Sequence, residues 1–520
     1  MWRGRQSTMT MPPSIPGLRV GVGAVVMLTA VVLSVSPAGA QRTPQAAAGL
    51  PALQTSEVPA RVLTLDTVID LAEARSEQIA IAQFGVDRAL AGERRARSDR
   101  LPQLSGGASY DRLLKSEFSG LFSGDSGDGG FGGDFSNLPF GQPNAFRLNL
   151  AFSQALYAGG RINAQQDLAA VGRSVADSSL KSARAQLVLD ATRAFYDAAL
   201  TDRLVAIAEA TLQQADATLA QVELTYKAGR SPEFEALRAR VARDNQRPNV
   251  IRARANRTIA YLRLKQLLEI PAAQPIAVSA ELDDATLEPP ARFAAPLSMV
   301  TAVPAGRTAL GRVPVQQATS AVRAREAALR ITKAQRRPYV SLNSAFGEVA
   351  YAGLPAFDDW RTNWTVGASV QIPLFTGGRL RAEETSAGAD VGEARALQKL
   401  TVELSEAETE AALALLDAAV AAWQASAGTV EQASRAYEIA DLRYREGIST
   451  QLELLDARLV LQLAQVNRAQ AARDVQVART QVSLLPDLPL GSGAVEAAGS
   501  AAQAAAARAA IETASVGGIR

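Results

Sequence analysis

Two stretches of this chain, 218 positions apart, are versions of one another. Leu224 to Val241 reads LTYKAGRSPEFEALRARV, and Leu442 to Leu459 reads LRYREGISTQLELLDARL; eight of the eighteen positions are identical. Gly159-Gly160-Arg161 and Gly377-Gly378-Arg379 match at the same offset. Upstream, Leu101-Pro102-Gln103 matches Arg337-Pro338-Tyr339 at an offset of 236, so eighteen extra residues separate these landmarks in the first copy. A Gly-rich stretch is found there. Internal duplication means one structural unit used twice, and it limits the fold to architectures built from two similar halves.

Each copy reads helix, strand, loop, strand, long helix, turn, helix. Arg161 to Lys227 holds no proline and follows Gly-Gly. Val205, Ala208, Leu212, Ala215, Leu219, Val222 and Tyr226 recur at spacings of 3 and 4. So do Trp423, Ser426, Val430, Ala433, Tyr437, Ala440 and Tyr444. That periodicity is a coiled-coil seam. A helix of this length spans about 100 Å at ~1.5 Å per residue. Gly229 and Gly447 end the long helices as left-handed C′ residues. Ser231-Pro232 restarts the chain as N-cap and first helical residue, and Thr450 with Glu453 forms a capping box. Shorter helices are predicted over 62–100, 232–268, 311–336 and 450–484, with a kink at Pro248. A pair of short helices matches a long one in length and can stack end to end beside it.

Four stretches change period from 3.6 to 2. The clearest are Phe146 to Ser153 and Trp364 to Gln371; Leu104 to Asp111 and Val340 to Gly347 alternate more weakly. Alternation gives a strand one apolar and one polar face, and about 10 residues suffice for a tilted strand to cross a membrane. Open sheet edges cannot sit in lipid, and four strands are too few for a barrel, which needs at least about 8. The strands must therefore be pooled between chains, two chains giving eight and three giving twelve.

The amino terminus says where the chain goes. Arg3, Arg5 and Arg19 form a basic leader without an acid, Val20 to Val35 is apolar, and Pro37-Ala38-Gly39-Ala40 offers a small-x-small cleavage site. This reads as a secretory signal peptide. Removing it leaves 51 basic residues (54 less three) against 52 acidic ones. That balance gives no reason to expect nucleic acid as a partner. The chain has no cysteine and no histidine, which removes disulfides, thiol nucleophiles, Ser-His triads and zinc-finger sites. No enzymatic constellation is present, and no cofactor or metal is expected. Gly124 to Asp134, rich in Gly and Asp, reads as a surface loop rather than a calcium repeat.

The signal peptide, the duplicated helix–hairpin–helix unit, the Gly-Gly-Arg after the second strand of each copy and the Tyr-x-x-Gly at each helix turn together resemble TolC-like outer-membrane efflux proteins (outer membrane factors). The likeness covers roughly residues 62 to 485. It implies a mainly α protein with membrane β, in which a shared trimeric 12-stranded barrel continues into a long α-helical periplasmic barrel. It also implies a passive exit duct serving a tripartite efflux pump or a type I secretion system. The implied partners are two further copies of the chain, a periplasmic adaptor, an inner-membrane RND or ABC transporter, and outer-membrane lipid. The expected organisation is signal peptide 1–40, linker 41–61, first repeat 62–268, inter-repeat linker 269–310, second repeat 311–485 and a flexible Ala-rich tail 486–520. Strands are expected at about 103–113, 145–157, 339–349 and 363–373, and long helices at 161–228 and 380–446.

The resemblance also assigns residues. Glu453 and Asp456, three apart and so on one helix face, match the acidic ring of the pore constriction, six carboxylates in a trimer. Tyr444 and Glu235 match a Tyr–carboxylate pair that links the coiled coils in the closed state. Ser449 stands where an assisting arginine is common, leaving Arg230 or Arg238 as its substitutes. The turns holding Gly229 and Arg230, and Gly447 and Ile448, match the tips that meet the adaptor. A trimeric surface adhesin or structural coiled-coil envelope protein is the competing class. It would place its strands at one end of the chain, whereas here they are interleaved with helices twice.

Overall fold

A proline-free stretch of good helix formers bounded by glycines makes one uninterrupted rod, and the computed structural model contains two of them. It describes residues 61–114, 144–280, 282, 287–352 and 360–491. The signal peptide, most of the first linker, the Gly/Asp-rich stretch and the tail beyond Gly491 lie outside these residues. Helices α3 (Arg161–Lys227) and α8 (Arg379–Arg445) are each 67 residues long. Both start at a glycine with positive φ, Gly160 at 91° and Gly378 at 86°.

The remaining elements, in chain order, are β1 (Arg61–Leu63), α1 (Leu65–Arg75), α2 (Glu77–Ser98), β2 (Gln103–Arg112), β3 (Asn144–Tyr157), α4 (Glu233–Leu267), β4 (Ile276–Val278), α5 (Ala291–Thr301), α6 (Ala305–Gly311), α7 (Val313–Ala334), β5 (Tyr339–Ala352), β6 (Trp360–Gln371) and α9 (Gln451–Leu484). Two expectations change. The helix anticipated over 62–100 is a short strand and two helices. Ser76 adopts ψ of 119° and its hydroxyl accepts from the Ile79 amide at 3.4 Å, ending α1 and capping α2. The stretch 269–310 is more than a linker, for it supplies β4, α5 and α6. Helix α4 continues through Pro248, with pairs to α3 on both sides of the proline: Arg243 to Asp216 at 3.6 Å and Arg254 to Glu209 at 2.7 Å.

The short helices do stack along the long ones. α2 lies against the start of α3 (Arg173 to Glu93, 3.4 Å) and α4 against its end (Arg240 to Glu223, 2.9 Å). α7 lies against α8 (Arg395 to Glu326, 2.7 Å) and also against α3 (Arg330 to Asp167, 3.0 Å). α9 packs on α8, where the Arg468 guanidinium sits 4.4 Å from the centre of the Trp423 ring. It also packs, less extensively, on α3, where Arg473 meets Asp197 at 2.8 Å. Exposed pairs of this kind contribute little energy each, but together they fix the register of antiparallel helices.

The main core sits midway along α3. Leu187, Ala191, Phe195, Ala198 and Ala199 meet Leu63 of β1, Val68 and Ile69 of α1, Leu264 and Leu268 at the end of α4, and Ala472 and Val475 of α9. β1 and β4 pair in parallel beside it. Tyr196 and Tyr261 lie within this cluster, and burial pushes both phenols up to about 12. Tyr261 stays protonated and donates to Asp202 at 2.6 Å.

The other four strands form one antiparallel sheet in the order β2-β3-β5-β6, with β3 of the first repeat paired to β5 of the second. β2 and β6 are its two edges. Leu148, Leu150, Trp364, Val366 and Val370 share one face and are exposed there. The other face carries Asp111 paired with Arg147, Ser341 bonded to Ser369 at 2.7 Å, and Asn343. β6 ends at Gln371; two residues on, Pro373 has no N–H to continue a ladder.

Candidate functional site

The functional region suggested by the sequence lies at the turns joining α3 to α4 and α8 to α9. Both turns close in the same way. The Gly229 amide donates to the Tyr226 carbonyl at 2.9 Å and the Arg230 amide to the Thr225 carbonyl at 2.9 Å; Gly447 to Tyr444 and Ile448 to Arg443 repeat the pattern at 3.1 and 2.8 Å. This double closure with a left-handed C′ residue is a Schellman motif, and φ is 71° at Gly229 and 72° at Gly447. Arg230 and Ile448, one residue further, are exposed.

The helices then restart differently. Thr450 caps α9, its hydroxyl accepting from the Glu453 amide at 3.4 Å. Ser231 does not cap α4. Pro232 occupies the N-cap position, and the Ser231 hydroxyl instead lies 3.1 Å from that of Thr225. A serine one residue before the cap is out of reach of the first-turn amides, so it closes the turn from inside.

Glu453 and Asp456 are both exposed in the first turns of α9. Neither side chain makes an ion pair among the described residues, so both carboxylates are open to solvent or to ions. Tyr444 is brought to the first hairpin: its ring packs on the cluster of Leu219, Val222, Ala236 and Ala239 from α3 and α4. Burial raises the pKa of this phenol, and the Glu235 carboxylate adds to the rise. The tyrosine and the glutamate are therefore neighbours across the hairpins. Arg230 and Arg238 make no bond to the second hairpin among the described residues. The Ser449 hydroxyl, at the position of the missing arginine, is buried without a partner.

Sequence reasoning overlooked an arginine that crosses close to these turns. Arg458 of α9 is 5% exposed. Its Nη2 donates to Thr218 Oγ1 at 2.7 Å and to the Gln214 carbonyl at 3.4 Å, both on α3. The signal was available, since Arg458 is one of the eight identities of the aligned repeat, opposite Arg240. What the alignment does not reveal is that the two arginines have different partners.

A family model described as "Outer membrane efflux protein" matches residues 68–269 and 307–485. Among curated relatives, the pyoverdine export outer membrane protein OpmQ of Pseudomonas putida is 27% identical over 438 residues, covering 82% of this chain and 86% of the relative. Nodulation protein T of Rhizobium leguminosarum bv. viciae is 25% identical over 359 residues, covering 69% and 71%. Among solved structures, the CmeC outer membrane channel of Campylobacter jejuni superposes with a TM-score of 0.66 at 15% identity, covering 84% of this chain and 88% of that one. The outer membrane protein VceC of Vibrio cholerae gives 0.64 at 21% identity, covering 81% and 96%.

Proposed function

The chain belongs to the outer membrane efflux protein family, a family of channels and not of enzymes, and on that premise we propose that it works as the passive exit duct of a tripartite export machine. Three copies pool their sheets into a twelve-stranded outer-membrane barrel, and their helices continue into the periplasm as an α-helical tube. A signal peptide over residues 1–40 delivers the chain there. An adaptor meets the helix tips, and an inner-membrane RND or ABC transporter supplies the cargo. The inner-membrane transporter selects that cargo, because a wide duct contacts it only loosely.

The observation that carries this reading is the sheet. Four antiparallel strands expose an apolar face and leave β2 and β6 with unpaired edges. An unpaired edge in hydrocarbon leaves several N–H and C=O groups unsatisfied, each at a cost of several kcal/mol. Closure with neighbouring copies removes both edges. α8 supports the same reading, for it has an apolar 18-residue window of which only 11% is buried within one chain. Its cover is a second copy.

Native mass spectrometry of the mature chain in detergent tests the assembly, and a trimer is expected. A folded monomer with an intact sheet would overturn the shared barrel. The duct itself is tested by ion conductance across a planar bilayer.

A further inference from the structure

The strand order brings three arginines to one place. β5 lies between β3 and β6, so the turn that leads into β5 sits between the turns that leave the other two. Those outgoing turns are the two Gly-Gly-Arg sequences of the duplication, with Arg161 opening α3 and Arg379 opening α8. The ingoing turn carries Arg337, whose Nη1 donates to the Gly159 carbonyl at 3.1 Å. The three arginines line a cavity of about 500 Å³, and no carboxylate shares that lining.

The positive charge here is uncompensated. Glu383 and Glu384, in the first turns of α8, are held by Arg379 at 2.6 Å and by Arg336 at 3.0 Å. Arg161 and Arg337 make no ion pair among the described residues. The Arg161 guanidinium stands 5.3 Å from the centre of the Tyr339 ring, and a guanidinium stacked on a ring keeps its five N–H donors. Duplication alone does not create this cluster. Leu101 and Gln103 stand where the second copy has Arg337 and Tyr339, and Gln103 turns back onto the Ser98 and Leu101 carbonyls at 2.9 and 3.2 Å.

The cavity belongs to the polar side of the sheet. Tyr339 and Gln371, both in its lining, pair across β5 and β6, as do Ser341 and Ser369 two residues on. Side chains two apart along a strand share a face, so Tyr339 and Gln371 stand on the face of Ser341 and Asn343, opposite Trp364, Val366 and Val370. In the proposed barrel this face is turned away from lipid.

We propose that this cavity is an oxyanion-binding site on the inner wall of the duct, where the barrel meets the helical tube. Its ligand is the carboxylate or phosphate group of a solute in transit, with an apolar body that rests on Ile372 and Pro373 of the same lining. The paired N–H donors of a guanidinium match either group, and a cleft of one sign concentrates the opposite ion. The volume lies within the range of roughly 300–1,000 Å³ that small-molecule sites occupy. All three arginines are exposed, so the hold is weak and the solute is released again. The site rests on the duct reading above and adds to it a class of cargo that the wall retains. Three copies would set nine arginines at this level, opposite in sign to the carboxylates of Glu453 and Asp456.

The test uses the full mature chain in planar bilayers of glyceryl monooleate, a lipid without phosphate, with phenyl phosphate as the probe. Phenyl phosphate should block the current saturably. Arg161→Gln and Arg337→Gln should each raise the half-blocking concentration about tenfold, the scale of one lost charge-assisted hydrogen bond. Arg381→Gln removes a charge two residues after Arg379 but outside the lining, and should leave the block unchanged. The Arg161 side chain makes no hydrogen bond among the described residues, so its variant decides the matter even where Arg337→Gln fails to assemble. Equilibrium dialysis of phenyl phosphate against the chain in detergent gives a readout that needs no conduction. Absence of current in the unmodified chain would defeat the duct reading, whereas saturable binding weakened by Arg161→Gln would still support the anion site. Equal shifts in all three variants would reduce the effect to general surface charge and overturn the site, as would no shift in any. Phospholipid retained by the unmodified chain in native mass spectrometry and lost from Arg161→Gln would assign the cavity to a lipid headgroup and overturn the solute.

Discussion

Arg312 and Glu408 meet at 3.0 Å at a point where Arg312 has no exposed surface. Arg312 precedes α7 and Glu408 lies on α8. The guanidinium also donates to the Ser405 carbonyl at 3.3 Å and the Leu488 carbonyl at 3.5 Å, and Glu408 accepts from the Gly491 amide. One pair thereby ties the start of α7, the middle of α8 and the carboxyl-terminal segment together. Burial lowers the pKa of Arg312 below the usual arginine value, with Glu408 opposing the shift.

Glu408→Gln strands that cation. Removing one partner of a buried pair typically costs about 3–5 kcal/mol. The variant should show a lower apparent Tm and faster amide hydrogen exchange at Leu488 and Gly491. Unchanged exchange there would mean that Glu408 does not hold the segment.

Gly159 and Gly377 are repeat twins, with φ of 63° and 59°, yet they should respond differently to alanine. At Gly377 an added Cβ meets nothing within 4 Å, so only the backbone cost of roughly 1–2 kcal/mol applies. At Gly159 it would lie 2.6 Å from Arg337 Cβ and 2.9 Å from the Ala334 carbonyl oxygen. Such crowding adds about 1–3 kcal/mol. The yield of heat-resistant assembly in outer membranes should fall much further for Gly159→Ala than for Gly377→Ala. Equal losses would show that the clash relaxes.

Replacing both Glu453 and Asp456 with Ala should reduce cation selectivity and weaken block by divalent cations added from the periplasmic side. The proposed trimer places six carboxylates around one axis, and such a ring attracts cations. Reversal potentials in a salt gradient and divalent titrations measure both effects. Unaltered selectivity and block would put the constriction elsewhere.

Arg230→Trp and Ile448→Trp should leave insertion and conductance unchanged while abolishing export and cross-linking to the adaptor. Both residues are exposed beside a turn they do not close through their side chains. Gly229→Ala and Gly447→Ala act on the turns themselves. Nothing lies within 4 Å of either added Cβ, so the effect is the cost of a left-handed alanine, roughly 1–2 kcal/mol. Full export by both tryptophan variants would exclude docking at these tips.

The repeating unit, the two rods and the strands are legible in the order of the amino acids. Each follows from information local to the chain: proline-free runs with 3-4 spacing, alternation of period 2, and glycines where φ must be positive. Helix and strand periodicity bury a face whatever lies opposite, so they can be read without knowing the partner. Tyr444 beside Glu235 was legible through the family likeness. Tertiary structure alone decided the partners. Ser76 divides the first helix because its hydroxyl is worth more as a cap than its backbone is inside a helix. The stretch 269–310 became β4, α5 and α6 because β4 pairs with β1 and Phe293 and Leu287 join the core around α3. Arg240 and Arg458 carry the same sequence signal and end in different bonds, one inside its hairpin and one across to α3. Which acceptor a long side chain reaches depends on the angle between helices, and no repeat within a single chain encodes that angle.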